Sequence, residues 1–156
     1  MIYLDNAATT ALSPAAIQAM TKTMTVFGNP SSTHSHGREA SKLLRQARED
    51  IAQALHTQSN KILFTSGGTE SNNTAIKGYA LRYQKQGKHI VTTAIEHHAV
   101  LEVVEYLVDK FGFEATFVQP VDGQIRAADI KKALRPDTIL VSVMAVNNET
   151  GAMLPI

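Results

Sequence analysis

Apolar and polar positions along this chain alternate between two rhythms. One recurs every three to four residues, and the other is a short unbroken apolar run. A first helix is predicted from Ser13-Pro14, an N-cap followed by proline at the first helical position. Ile17, Met20 and Met24 then recur at helical spacing, and the helix is expected to end near Phe27-Gly28. From Gly37 the run REASKLLRQAREDIAQALH places Ala40, Leu43, Leu44, Ala47, Ile51 and Leu55 on one face with charge opposite, which makes it the longest helix expected. A buried strand follows at Lys61 to Thr65, then a helix from about Thr69 to Gln86, a strand at His89 to Ala94 and a helix from about His98 to Lys110. Phe113 to Val118 reads as a strand and Ala127 to Leu134 as a short helix stopped by Pro136. Thr138 to Val146 reads as the most apolar strand of all. Near-continuous apolar strands separated by amphipathic helices predict an α/β fold with a parallel sheet covered on both faces. Ligands of such sheets sit outside the carboxyl ends of the strands.

Composition narrows the class. At 156 residues, with 44% hydrophobic and 19% charged residues, the chain has the balance of one ordinary globular domain. Its net charge of +1, with basic residues scattered, gives no electrostatic case for nucleic acid or membrane partners. The opening MIYLDNAATT has neither a basic nor an apolar signal region, so a soluble cytoplasmic protein is expected. There is no cysteine, which excludes disulfides, thiolate metal sites and thiol chemistry supplied by these residues.

Three loops carry the candidate chemistry. In Phe64-Thr65-Ser66-Gly67-Gly68-Thr69-Glu70-Ser71-Asn72 an apolar run ends in a small-residue turn that opens a helix. Glycines allow a ligand close to the backbone, and Thr69 brings a hydroxyl beside the free N–H groups of the first turn, so a phosphate is the natural occupant. The plain alternative makes Thr69 an N-cap. Glu96-His97-His98 and Asn147-Asn148-Glu149-Thr150-Gly151 follow later strands at the same relative place. If those strands are parallel, Gly68-Thr69, His97 and Asn148 project from one edge of the sheet. A phosphate donor set, a flat aromatic ring and a side-chain amide together suit a phosphorylated aromatic cofactor. Taken singly, the histidines also read as helix-start residues and the asparagines as turn formers.

YLDNAATT at Tyr3 to Thr10, FGNPSS-x-H-x-x-G at Phe27 to Gly37, FTSGGTESNN at Phe64 to Asn73, EHHAV at Glu96 to Val100 and VNNETG at Val146 to Gly151 occur in that order. On these motifs the whole chain resembles the group I cysteine desulfurases, class V, fold-type I pyridoxal-phosphate enzymes. The resemblance implies a parallel-sheet transferase fold, with an N-terminal arm and helices over residues 1–58 and the first part of an incomplete cofactor-binding large domain over 59–156. It implies that Gly68 and Thr69 bind the phosphate of pyridoxal 5′-phosphate, that His97 stacks on the pyridine ring and acts in proton transfer, and that Asn148 reaches the ring's phenolic oxygen. Asn6, Ala8 and Thr9 would line the substrate side, where L-cysteine binds. His34 would lie near the same mouth, or would serve in capping or packing. The family further implies a homodimer that hands sulfur to acceptor proteins for iron–sulfur clusters or tRNA thiolation.

The departures from the family are as informative as the matches. Its chemistry needs a lysine that holds the cofactor covalently, an aspartate that keeps the pyridine nitrogen protonated and a cysteine that accepts sulfur as a persulfide. None of the nine lysines here stands in the Ser-x-His-Lys context, and there is no cysteine. A fragment inactive on its own is therefore expected, with other class V aminotransferases or lyases, or a non-catalytic interaction partner, as alternatives. In the family's sheet order, 3-2-4-5-6-7-1, the strand at Lys61 to Thr65 would be orphaned. Those at His89, Phe113 and Thr138 would form a 3-2-4 sheet with one open apolar edge. A P-loop nucleotidase is a weak reading, because SGGTESNN lacks Gly-Lys-Ser/Thr. No metal site is expected from His34-x-His36 or His97-His98, because nothing completes a ligand set.

Overall fold

The computed structural model describes residues 2–155, which form one compact unit running to Phe64 and a second beginning at Thr65. In the first unit α1 spans Pro14–Thr23, and the Ser13 hydroxyl caps it by accepting from the Ala16 N–H at 3.2 Å. The helix stops short of the expected Phe27 because Thr25 and Val26 take its last carbonyls out of helical register. The Thr25 hydroxyl donates to the Lys22 carbonyl at 2.8 Å, and the Val26 N–H tightens back to Thr23. Helix α2 spans Ser35–Ala54 and begins before Gly37, with His34 as its N-cap: ring Nδ1 accepts from the Gly37 N–H at 3.3 Å. The FGNPSS-x-H-x-x-G segment is a tightly closed loop. A Cβ on Gly28 would collide with the His36 carbonyl, and one on Gly37 with the Ser32 and Asn29 carbonyls, so both glycines sit where backbone meets backbone.

The run at Lys61 to Thr65, expected as a strand orphaned of its partner, is unpaired and does not take strand form. Ser59–Lys61 is a single 3₁₀ turn, and residues 62–65 pair with no described strand. Leu63 (69% exposed) and Phe64 face solvent, so an apolar run that reads as core has no partner to make it a strand.

The second unit runs through α3 (Gly68–Tyr83), β1 (His89–Thr93), α4 (His98–Phe111), β2 (Glu114–Val118), α5 (Ala127–Ala133) and β3 (Thr138–Ser142). The sheet is fully parallel in the order β2-β1-β3, with His89 opposite Glu114 on one side and Thr138 on the other. The 3-2-4 arrangement expected of these three strands is thus present. Ile76 and Ala80 of α3 and Val100, Val103, Val104 and Leu107 of α4 cover one face over Ile90 and Phe113. Val91, Val118, Ile125 and Leu154, backed by Ile130 and Ala133 of α5, cover the other. Val104 and Leu107 are fully buried, a contribution of about 1.5–3 kcal/mol each. Helix α4 ends at Gly112, whose left-handed φ of 66° lets its N–H reach the Leu107 carbonyl and turns the chain into β2.

Strand β3 ends four residues before the expected Val146. Beyond Ser142 the Met144 N–H leaves the ladder for the Glu96 carboxylate, and Val146 pairs antiparallel with Met153. On its outer side β3 is an open edge among the described residues, with Val141 exposed.

At the amino ends of the strands His89 is wholly buried, its Nδ1 2.7 Å from the Thr138 hydroxyl and its Nε2 2.9 Å from that of Thr116. Burial pushes its pKa below the ordinary 6.5, and Arg135 adds to this. The Asp137 and Glu114 carboxylates pull the other way and do not prevail. The folded state therefore prefers neutral His89. This contribution to stability is complete above the unfolded value near 6.5 and is lost as pH falls from there through the folded value. The melting temperature should drop between pH 7.5 and 5.5, above the range where the depressed carboxyls of Asp137 and Glu70 titrate. His89→Gln should flatten the drop, and an equally steep pH profile in that variant would refute the assignment.

Candidate active site

Because β1 and β3 are adjacent and parallel, the loops that follow them leave the same edge of the sheet. His97 ends the first loop as the N-cap of α4, its Nδ1 accepting from the Ala99 N–H at 3.0 Å. The cap leaves the ring exposed and pins its tautomer, since an accepting Nδ1 puts the proton of the neutral imidazole on Nε2. In the second loop Asn147 is buried and organises the turn. Its Oδ1 accepts from the N–H groups of Glu149 (3.0 Å) and Thr150 (2.9 Å) and from the Thr150 hydroxyl (3.0 Å). Gly151, at φ 72°, closes that turn through its N–H to the Asn147 carbonyl. Asn148 next to it is exposed. Between the loops lies a cavity of about 310 Å³, walled by His97, His98, Leu101, Asn148, Glu149 and Thr150 among others.

The third loop opens α3. Gly67 is the N-cap in extended conformation, which places Thr69 at the second helical position and removes the reading of Thr69 as the cap. Glu70 steadies the turn, one carboxylate oxygen accepting from both the N–H and the hydroxyl of Ser66 at 2.7 Å. These bonds, the backbone one foremost, hold the Glu70 carboxyl below its usual range. A Cβ built on Gly67 or Gly68 would meet nothing within 4 Å, so open space lies against backbone beside the unsatisfied N–H groups of the first turn. Neither Gly68 nor Thr69 lines the cavity of His97 and Asn148. Asn6, Ala8 and Thr9 belong to the other unit. There they form an exposed turn, with the Ala8 N–H bonded to the Asp5 carbonyl at 3.2 Å.

These donors fit pyridoxal phosphate: a helix start with room at its glycines for a phosphate, a presented imidazole face for a ring and a solvent-facing amide for a ring oxygen. Glu96 and Asn147 were not singled out by sequence reasoning as members of the site. A carboxylate at the end of an apolar strand, immediately before the capping histidine, was the available signal for Glu96. Asn147 was hidden by its resemblance to an ordinary turn former. No group of three or more metal-binding side chains occurs among the described residues, and no helix there is long and apolar enough to cross a membrane.

The sequence pattern of the aminotransferase class-V family matches residues 2–156. Cysteine desulfurase IscS of Dictyoglomus turgidum is 52% identical over 158 aligned positions, which take in 99% of this chain and 40% of that protein. The protein of the same name from Methanosarcina thermophila is 46% identical over 99% of this chain and 39% of its own length. Among solved structures, a NifS-like protein superposes with a TM-score of 0.91 at 40% identity, covering 99% of this chain and 43% of that one. DndA from Streptomyces lividans does so with a TM-score of 0.83 at 43% identity, covering 99% and 44%. The chain thus spans about 40% of the length of the curated relatives it matches.

Proposed function

This chain belongs to the aminotransferase class-V family, and from that membership we propose that it is the N-terminal part of a pyridoxal-phosphate-dependent cysteine desulfurase. The reaction is conversion of L-cysteine to L-alanine, with the sulfur passed to acceptor proteins for iron–sulfur cluster assembly or tRNA thiolation. The observation that carries this reading is the pairing of His97 with Asn148 on one cavity at the carboxyl ends of adjacent parallel strands. In it, residues 1–58 are the arm and helices that precede the cofactor-binding domain, and 59–156 are the first part of that domain. The working enzyme is a cytoplasmic homodimer.

When bound, pyridoxal phosphate supplies an electron sink for bond changes at the amino-acid carbons. The residues of this chain hold and direct it. Gly68 and Thr69 would hold its phosphate through first-turn N–H groups and the Thr69 hydroxyl. His97 would present its ring face to the pyridine; with Nδ1 accepting from the Ala99 N–H, Nε2 already carries the proton, so His97 would act in proton transfer once that cap bond is released. Asn148 would donate its side-chain N–H to the phenolic oxygen, and family resemblance proposes Asn6, Ala8 and Thr9 for the substrate side. The covalent lysine and the sulfur-accepting cysteine come from polypeptide other than these 156 residues.

Pyridoxamine 5′-phosphate, whose amine forms no bond to lysine, tests the site without turnover. Titrated into isotope-labelled chain, it should shift the NMR signals of Gly68, Thr69, His97 and Asn148 along one binding curve. Shifts confined to Gly68 and Thr69, matching those produced by inorganic phosphate, would leave an anion site and sink the cofactor reading.

A further inference from the structure

Resting on that cofactor reading, we propose that Glu96 and Asn147 are positioning residues. They form a reciprocal pair of buried ties that sets the spacing of His97 and Asn148 before any ligand arrives. Glu96 reaches out of the His97 loop: its Oε1 accepts from the Thr93 hydroxyl and from the Met144 N–H, both at 2.8 Å. Asn147 reaches the other way, its Nδ2 donating to the Ile95 carbonyl at 2.9 Å. Each tie is made by the residue immediately before a candidate functional side chain, so any slack in it is transmitted to that side chain directly.

The ladder cannot do this work. Pairing of β1 with β3 ends at Thr92 and Ser142, and past that point the Asn148 loop is joined to the His97 loop by these side-chain bonds. Glu96 is 8% exposed and Asn147 7%. A carboxylate this dry, which takes part in none of the ion pairs of the described residues, is unfavourable to bury unless its hydrogen bonds are kept. Because both donors fall on one oxygen, a neutral amide oxygen at the same place serves equally well. That separates a positioning role from any role of the charge.

The test uses Glu96→Ala, Glu96→Gln and Asn147→Asp, the last removing the donor to Ile95 while keeping the acceptor that organises the turn. Hydrogen exchange at Ile90 and Val91 reports the fold, exchange at Met144 reports the Glu96 tie, and titrations with pyridoxamine 5′-phosphate and with inorganic phosphate report the site. Glu96→Ala should lose Met144 protection and bind pyridoxamine phosphate on the order of tenfold more weakly, with phosphate affinity at Gly68 and Thr69 unchanged. Asn147→Asp should show the same selective weakening, and Glu96→Gln should stay within about twofold of the parent chain. The inference is overturned if a variant with β1 still protected, Glu96→Ala or Asn147→Asp, binds pyridoxamine phosphate as the parent does. It is overturned equally if Glu96→Gln fails as badly as Glu96→Ala. Should Glu96→Ala not fold, Asn147→Asp decides alone. If the parent chain itself binds no pyridoxamine phosphate, the cofactor reading fails, and the ties are then judged by the NMR shifts of the His97 ring and the Asn148 side-chain amide. Changes at both in the folded Glu96→Ala and Asn147→Asp variants support positioning, and unchanged shifts refute it.

Discussion

Incubated with L-cysteine, pyridoxal phosphate and a reductant, the 156-residue chain alone should release neither sulfide nor alanine above a protein-free blank. The reason is chemical: sulfur transfer through a persulfide needs a thiolate, and these residues include no cysteine. Pyridoxal phosphate also needs one lysine held beside it, and none of the nine lysines stands in the family's Ser-x-His-Lys context. Borohydride should therefore label surface lysines diffusely. Enzymic rate enhancements begin near a million-fold, so the contrast with a complemented protein is close to all or none. Co-expression with the remaining polypeptide of a cysteine desulfurase relative, from the position matching the end of this chain, should bring cofactor absorbance and desulfurase activity back together. Turnover by the chain alone that survives repurification, or one lysine labelled at full occupancy, would overturn this.

In that complemented protein, His97→Ala should lower the rate by about two to four orders of magnitude, the usual worth of a positioned acid–base group. Because His97 also caps α4, alanine removes a cap worth about 0.5–2 kcal/mol as well. His97→Asn keeps a capping oxygen and loses the ring, so a comparable rate deficit in both variants assigns the effect to the imidazole. Thr69→Ala should act elsewhere, loosening the cofactor through loss of a charge-assisted hydrogen bond worth roughly 1.5–3 kcal/mol and leaving the rate at saturating cofactor near the parent value. If cofactor retention and turnover both persist unchanged in His97→Ala and Thr69→Ala, the site is misassigned.

The elements that sequence reasoning placed best are those whose signals are local. Ser13-Pro14 starts a helix because cap and proline geometry act within one turn, and the helix expected from His98 to about Lys110 runs over His98–Phe111 because its apolar spacing is local too. Errors arose where a distant partner decides. Lys61 to Thr65 has the composition of a strand, but a strand exists only through its neighbour. Residues 143–146 look as apolar as β3 itself, yet a carboxylate 48 residues away draws the Met144 N–H off the ladder. The same logic governs the site. His97 and Asn148 were legible because loops after parallel strands share an edge. Glu96 and Asn147 were not, because a tie between loops is written in no single stretch of sequence.

The order β2-β1-β3 also sets a schedule for synthesis. The central strand can meet β2 as soon as Val118 has been made, while its other edge waits for Ser142. At ribosomal speeds of about 5–20 residues per second, that interval of about two dozen residues leaves one side of β1 bare for roughly one to five seconds. For that time Ile90 and Val91 lack their β3 neighbours, and the bare flank belongs to the strand that is central among the three described. A nascent chain that paused between Val118 and Ser142 would offer that flank to whatever strand stood nearest.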